Sequence, residues 1–279
     1  DRSTTPLGGP AAYPDGAPDT AVLIVVPVYR DVPRTRACLE SLLATLPKAS
    51  RTSPRVLVVD DAAPEEAMRA LLEEFARDPR VSLHVNTENR GFVVSANLGL
   101  RAALSHRPKA RDVVLLNSDT LVSGAWLDEL RAVAHSAPDI GTVTPLSNDA
   151  TIMSYPDLSG NPPPSMAWTT RQMRLARQAN EGMAVEVPTG HGFCLYIRHD
   201  CLRQTGLLRA DLFAQGYGEE NDFCLRARLL GWRSVAAPGA YVAHMGSASF
   251  GGATRAALLV RHPAPLTRRH PGLYARTGG

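Results

Sequence analysis

Residues 21–28 read Ala-Val-Leu-Ile-Val-Val-Pro-Val, an apolar run with no polar interruption. A short run of this kind, without alternation, is the pattern of a strand buried on both faces. Outward from it, Arg34–Leu46 (RTRACLESLLATL) carries apolar residues at helical spacing. Arg55–Val59 (RVLVV) returns to strand composition and stops at Asp60-Asp61. Pro64–Ala76 opens with Pro and Glu, which suit the first turn of a helix. Val81–Val85, Phe92–His106 and Asp112–Leu116 then repeat strand, helix and strand. Trp126–His135 adds a helix and Gly141–Thr144 a short strand. This alternation with short links defines an α/β domain with a mostly parallel central sheet flanked by helices. Such sheets bind ligands outside the carboxyl ends of their strands. Asp60-Asp61 and Asn117-Ser118-Asp119 follow directly on two of those ends.

Beyond this core the texture changes. Residues 1–20, rich in Pro, Gly and Thr, read as a flexible tail, and the basic residues 261–279 as another. The domain itself spans 21–260. Within it, residues 145–187 are turn-rich and read as an inserted acceptor-side or lid region with one helix, Thr169–Gln178. After the insert come a strand at His191–Arg198, a helix at Asp222–Leu230, short strands at Trp232–Ala236 and Ala240–Val242, and a helix at Thr254–Val260. Gly99, inside the third helix, costs about 1 kcal/mol against Ala. A close packing contact would explain it.

Composition excludes several classes. The 279 residues are 44% hydrophobic and 20% charged, which is globular rather than disordered. A formal charge of +3 is too mild to indicate nucleic-acid binding, and the positive residues are nearly all Arg, with Lys48 and Lys109 the exceptions. Cys38, Cys194, Cys201 and Cys224 form no CxxC pair and read as free buried thiols. No apolar run is long enough for a membrane span, and residues 1–20 lack the pattern of a signal peptide. Neither GxGxxG after the first strand nor GxxxxGK[ST] occurs, which removes the best support for dinucleotide and P-loop sites.

The acids carry the chemistry. Asp119 is placed to hold Mg²⁺ or Mn²⁺, hard cations that take oxygen ligands and share them with substrate phosphates. Asn117-Ser118-Asp119 also reads as an ordinary turn or helix cap. Glu219-Glu220-Asn221-Asp222 lies between a Gly/aromatic loop and the helix that begins at Asp222, where acids commonly cap. Three acids in that stretch exceed what a cap needs, and one could serve as general base. His244 follows an apolar pair and reads either as a structural histidine or as the imidazole partner of Asp119 on one metal. Asp61 could accept a hydrogen bond from a base or ribose, Tyr29 could stack on a ring, and Gly91 in Asn89-Arg90-Gly91 permits close backbone approach.

Taken in order, VPVYR (26–30), VVDDAAPE (58–65), NRGFVVSANLG (89–99), VLLNSDT (114–120), TGHGFCLYIRHD (189–200), GYGEENDFCLRARLLGWR (216–233) and HMGSASFG (244–251) resemble the family 2 inverting glycosyltransferases of the GT-A fold. The nearest flavour is that of bacterial rhamnosyltransferase- and galactofuranosyltransferase-like members, which act in polysaccharide assembly. The resemblance covers about residues 21–250. It implies a nucleoside-diphosphate sugar donor, UDP- or dTDP-linked, and a divalent metal. Pro27 and Tyr29 match the segment packed on the nucleobase, and Asp61, with Asp60 beside it, the acid that reads it. Ser118-Asp119 match the metal motif and His244 a metal-ligand histidine. Asn117 and Ser118 stand where the family carries further acids, which thins that shell. Glu220 matches the catalytic base, as Glu in place of Asp, with Glu219 and Asp222 as fallbacks. Thr189–Gly192, Gly190 included, match the wall near donor sugar and acceptor, and Trp232 the acceptor side. Gly216, Gly218, Gly246 and Gly251 would allow loops to close over the donor. The implied acceptor is a glycan, a lipid-linked glycan or a small molecule. The implied location is cytoplasmic, with room for peripheral contact at the inner face of the plasma membrane. Rival readings are a noncatalytic nucleotide-sugar or glycan-binding module, and a retaining transferase or nucleotidyltransferase on a similar fold.

Overall fold

The computed structural model describes residues 21–47, 53–105, 111–158, 161, 164–213 and 218–246. The expected tails, the helix at Thr254–Val260, and Gly216 and Gly251 lie outside them.

The first half alternates as its apolar runs predict: β1 (Ala21–Val28), α1 (Val32–Thr45), β2 (Arg55–Asp60), α2 (Glu66–Phe75), β3 (Val81–Val85), α3 (Phe92–Ser105) and β4 (Arg111–Leu116). Every residue of β1 is buried. Its side chains divide by parity, as a strand's must. Val22, Ile24, Val26 and Val28 join the core built with α1, α2 and α4 (Trp126–Ala134), whereas Leu23 and Val25 pack with α3 on the opposite face. Gly99 is where α3 crosses Val25, and a Cβ there would overlap the Val25 side chain. This is the contact that its helical position required.

The second half is β5 (Thr120–Leu121), β6 (Ile140–Leu146), α5 (Met166–Asn180), β7 (Val185–Val187), β8 (Cys194–Ile197), α6 (His199–Thr205), α7 (Ala210–Phe213), α8 (Glu219–Leu229), β9 (Arg233–Tyr241) and β10 (Ala243–His244). The main sheet has the order β3-β2-β1-β4-β8-β6-β9-β7. Strands β1 to β4 run parallel. Strand β8 lies antiparallel between β4 and β6, so β6 and its parallel neighbour β9 regain the direction of β4. Edge strand β7 is antiparallel. The sheet is therefore mostly parallel, and the carboxyl ends of β1, β2, β4, β6 and β9 share one edge.

Some elements differ from the sequence reading. The two short strands expected at 232–242 are one strand: Ala237 pairs with Pro145 and Tyr241 with Leu146, so Pro238-Gly239 bulges out rather than ending it. Helix α8 starts at Glu219 rather than Asp222, behind Gly218 in a left-handed conformation (φ 110°). The insert has a short 3-10 turn at Thr151–Met153, a longer helix than expected, and strand β7. The four cysteines are free and buried, as composition suggested.

Candidate active site

Asp119 lies in the turn after β4, and that turn feeds β5 rather than a helix. Strand β5 pairs with β10 in a second, two-stranded sheet, with His244 opposite Thr120. Met245 N–H also donates to the Asp119 carbonyl at 2.8 Å. The small sheet thus brings together two residues far apart in sequence: His244 Nε2 stands 3.3 Å from Asp119 Oδ1. His244 Nδ1 lies 2.9 Å from the Asp149 carbonyl oxygen. That oxygen can only accept, so Nδ1 carries the proton and Nε2 is turned to the carboxylate. Nε2 is buried and makes no hydrogen bond. Burial pushes the imidazole pKa down, but the facing Asp119 carboxylate outweighs it and the net shift is upward. Phe193 stacks on the imidazole, ring centroids 5.6 Å apart at 27°. Phe193 is itself fixed by Asn117 N–H, which donates to its carbonyl at 2.9 Å.

One residue earlier, Gly192 faces the acidic cluster. A side chain there would meet the Glu220 carboxyl carbon at 3.6 Å. Glu220 Oε2 accepts from Gly218 N–H at 3.3 Å. The three acids of α8 occupy its first turn, where unpaired N–H groups favour negative charge. They are not equivalent. Glu219 is buried, with Oε2 unpartnered, and burial followed by the charge of Glu220 pushes its pKa well above the usual 4.5. Glu220 is partly exposed, and burial raises its pKa despite backbone N–H groups that oppose the shift. Asp222 is fully buried and paired with Arg226 at 2.7 Å. Arg226 also donates to the carbonyls of Thr205 and Leu207, so Asp222 anchors α8 to the chain after α6.

At the ends of β1 and β2 lie the expected nucleotide-side residues. Pro27 is buried within β1, opposite Val59. Tyr29 is partly exposed, with the Arg30 guanidinium 5.0 Å from its ring centroid. Asp60 Oδ1 accepts from Ala63 N–H at 2.8 Å, and burial raises its pKa. Asp61 holds the β3–α3 loop: Oδ1 accepts from Asn86 Nδ2 (2.7 Å) and Arg90 N–H (2.9 Å), and Oδ2 from Gly91 N–H (2.8 Å). Asn89, in that loop, is exposed.

A search of curated proteins finds no match. Residues 18–258 match the family described as glycosyltransferase like family 2. The chain belongs to this family. Among solved structures, a mannosyltransferase from Pyrobaculum calidifontis, in complex with GDP-Man and Mn²⁺, has a TM-score of 0.61 at 20% identity, covering 88% of this chain and 64% of its own. GalNAc-T7 with UDP, GalNAc and Mn²⁺ gives 0.62 at 16%, covering 82% and 44%. S. aureus TarS 1-349 in complex with UDP-GlcNAc gives 0.56 at 16%, covering 83% and 60%. This chain therefore spans less than two thirds of the length of these chains, and the likeness establishes the GT-A fold.

A family 2 member of this fold implies a divalent metal, and the residues present fit one. Asp119 offers a hard oxygen, and His244 offers a buried ring nitrogen with no other partner. Among the described residues no cluster of three or more His, Cys, Asp or Glu stands ready for a metal. The remaining positions would fall to substrate oxygens and water. Ser118 sits in the same turn as Asp119. Gly190 is buried and its N–H contacts Cys224 Sγ at 3.3 Å; a Cβ there would overlap Leu195 and crowd Thr144. Trp232 lies at the amino edge of the sheet, beside β9's first residue, with its indole N–H on Gln204 and Arg198 over its ring. It does not frame the acceptor side, because β9 only reaches the site edge at its other end.

The structure adds residues that motif reading passed over. Asn148 and Asp149 hold His244, and Phe193 stacks on it. Arg34 reaches from α1 to the Gly246 carbonyl at 2.9 Å, tying the segment after His244 to the nucleotide side. A signal existed: Ser147-Asn148-Asp149 directly follows the run of β6, just as Asp60-Asp61 follows β2. Of the glycines expected to hinge, Gly218 and Gly246 both have positive φ. Among the described residues no helix is long and apolar enough to cross a membrane.

Proposed function

We propose that this chain is a metal-dependent inverting glycosyltransferase, moving a sugar from a nucleoside-diphosphate donor to an acceptor hydroxyl. One observation carries the reading. Consecutive residues Gly192 and Phe193 touch Glu220 and His244 respectively, so base and metal pair flank one short loop at the carboxyl edge of the sheet. Asp119 and His244 would hold Mn²⁺ or Mg²⁺, which supplies Lewis-acid charge at the leaving diphosphate when bound. Tyr29, Pro27, Asp60 and the loop shaped by Asp61 at Asn89–Gly91 receive the nucleoside, of the UDP or dTDP class. Glu219 is the deeper acid and Glu220 the partly exposed one, which makes Glu220 the group placed to take a proton from an acceptor. Glu220 takes the proton of the acceptor hydroxyl as its oxygen bonds to the anomeric carbon. The nucleoside diphosphate departs from the opposite face, and the configuration inverts.

The acceptor is a glycan with an apolar carrier, such as a lipid-linked glycan in polysaccharide assembly at the cytoplasmic face of a membrane. The segment that follows Asn148-Asp149 supports this: Ile152, Tyr155 and Leu158 are 64%, 47% and 71% exposed. The rhamnosyl- or galactofuranosyltransferase-like flavour rests on the motif resemblance.

Thermal stabilisation by UDP-, dTDP- and GDP-sugars, with and without Mn²⁺, identifies the donor through mass action. Transfer is then followed by NMR of the product anomer. Glu220→Gln is expected to lower the rate about 10²–10⁴-fold and to spare donor binding. The wild-type rate should rise with pH through a value above 4.5, because burial raises the Glu220 pKa and only the carboxylate accepts the proton. Full transfer by the variant would remove Glu220 from the role, and a retained anomer would sink the inverting reading. Donor binding without transfer would leave a binding module.

A further inference from the structure

We infer that Asn148 is the positioning residue that sets His244 for metal capture; the inference rests on the proposed metal site. Strand β10 is two residues long and pairs with a strand equally short. So short a ladder is marginal by itself. Asn148 supplies what it lacks. Its Nδ2 donates to the His244 carbonyl at 2.8 Å, and its Oδ1 accepts from His244 N–H at 2.8 Å. One planar amide thus satisfies both backbone groups of the ligand residue, as another strand would. The side chain is 6% exposed, so water does not compete. The next residue completes the grip, since the Asp149 carbonyl takes the imidazole Nδ1–H. Consecutive residues therefore fix the backbone and the tautomer of one histidine. Both come from a tightly braced loop: Ser147 N–H donates to the Met153 carbonyl, Tyr155 N–H to the Ser147 carbonyl, and Asn161 Nδ2 to the Asn148 carbonyl. Such outer partners orient a ligand and tune metal affinity.

The test is Mn²⁺ titration of the full chain by electron paramagnetic resonance of the free ion, with no donor or acceptor. Asn148→Ala is expected to weaken Mn²⁺ about 10–100-fold. Asp119→Asn should abolish binding. Asp149→Ala keeps the carbonyl and should bind as wild type. At saturating Mn²⁺, the electron spin-echo modulation from an imidazole nitrogen on the ion should be present in wild type and weakened in Asn148→Ala, a change that a merely structural amide would not cause. Asn148→Asp sets a carboxylate oxygen against the His244 carbonyl and should weaken binding at least as much; Asn148→Gln, which keeps both amide groups on a longer arm, should lose less and carries the test if the Ala variant does not fold. Wild-type affinity in a folded Asn148 variant overturns the positioning role and leaves the metal site standing. Loss in Asp149→Ala with Asn148→Ala unaffected overturns it in favour of the Asp149 carboxylate. A wild-type chain that binds no divalent ion overturns both.

Discussion

Strand β4 has an Asp–His pair near each of its ends, and the two pairs differ in how completely their hydrogen bonds are made. At the amino edge, Asp112 Oδ2 receives His135 Nε2 (2.7 Å) and the Tyr196 hydroxyl (2.6 Å), and Oδ1 receives His199 N–H (2.8 Å). At the carboxyl edge, Asp119 faces His244 at 3.3 Å, and the imidazole Nε2 makes no hydrogen bond. Similar side chains at the two ends of one strand therefore do different work. A buried carboxylate with all its donors in place ties α4, β4 and β8 together. One left short of donors is available to a ligand.

The largest expected effect breaks this contrast directly. Asp112→Ala strands His135 and Tyr196 and should cost about 3–5 kcal/mol in denaturant unfolding. Asp119→Ala should cost at most about 1.5 kcal/mol. Transfer should respond in the reverse order. Asp119→Ala loses more than about 100-fold, beyond the usual cost of an outer-shell change, while folded Asp112→Ala keeps its rate per molecule. Equal stability losses would show that the two pairs serve the same purpose.

A second test uses pH. Burial raises the Asp112 pKa, but His135, Tyr196 and His199 N–H outweigh it, and the net value lies below the ordinary 3.8. The folded state then holds fewer protons than the unfolded state between those two values. Stability from Asp112 is complete above 3.8 and lost as pH falls through the folded value. The gap between wild type and Asp112→Asn should be widest at neutral pH and narrow below about pH 3.8. A gap independent of pH would mean that the carboxylate charge contributes nothing.

How far the sequence discloses this contrast depends on the kind of signal. Strands β1, β2 and β4 are legible because a parallel strand inside the sheet must be largely apolar, and Asp60, Asp61 and Asp119 stand out where those runs end. Glu219 and Glu220 stand out as acids in excess of a cap. The β5–β10 sheet is illegible, because two-residue strands have no period. So is the Asn148–His244 grip, whose partners lie 96 residues apart. Asp112 is hidden for the opposite reason to Asp119: it sits inside a strand, and nothing local says which helix or hydroxyl will meet it. Asp61 carries more than the motif states, since its carboxylate also accepts from Asn86 Nδ2 and from the N–H groups of Arg90 and Gly91.

The smallest expected effect places a third acid between these extremes. Glu129 on α4 is 1% exposed. Its Oε1 accepts from Gly182 N–H at 2.6 Å, and its Oε2 has no partner. Burial raises its pKa above 4.5, because one N–H does not compensate the desolvated charge. The sign of its pH dependence is opposite to that of Asp112. The folded state keeps a proton that the unfolded state loses, so stability falls as pH rises from 4.5 through the raised value. Glu129→Gln preserves the acceptor for Gly182 and carries no charge to bury. It should match wild type at acidic pH and exceed it by about 1 kcal/mol above the raised value, the scale of one unmet buried hydrogen bond. Urea unfolding of both proteins across pH reads the difference. A variant less stable than wild type at neutral pH would show that the Glu129 charge is compensated after all, and that unmet hydrogen bonds do not by themselves mark an acid as costly in this fold.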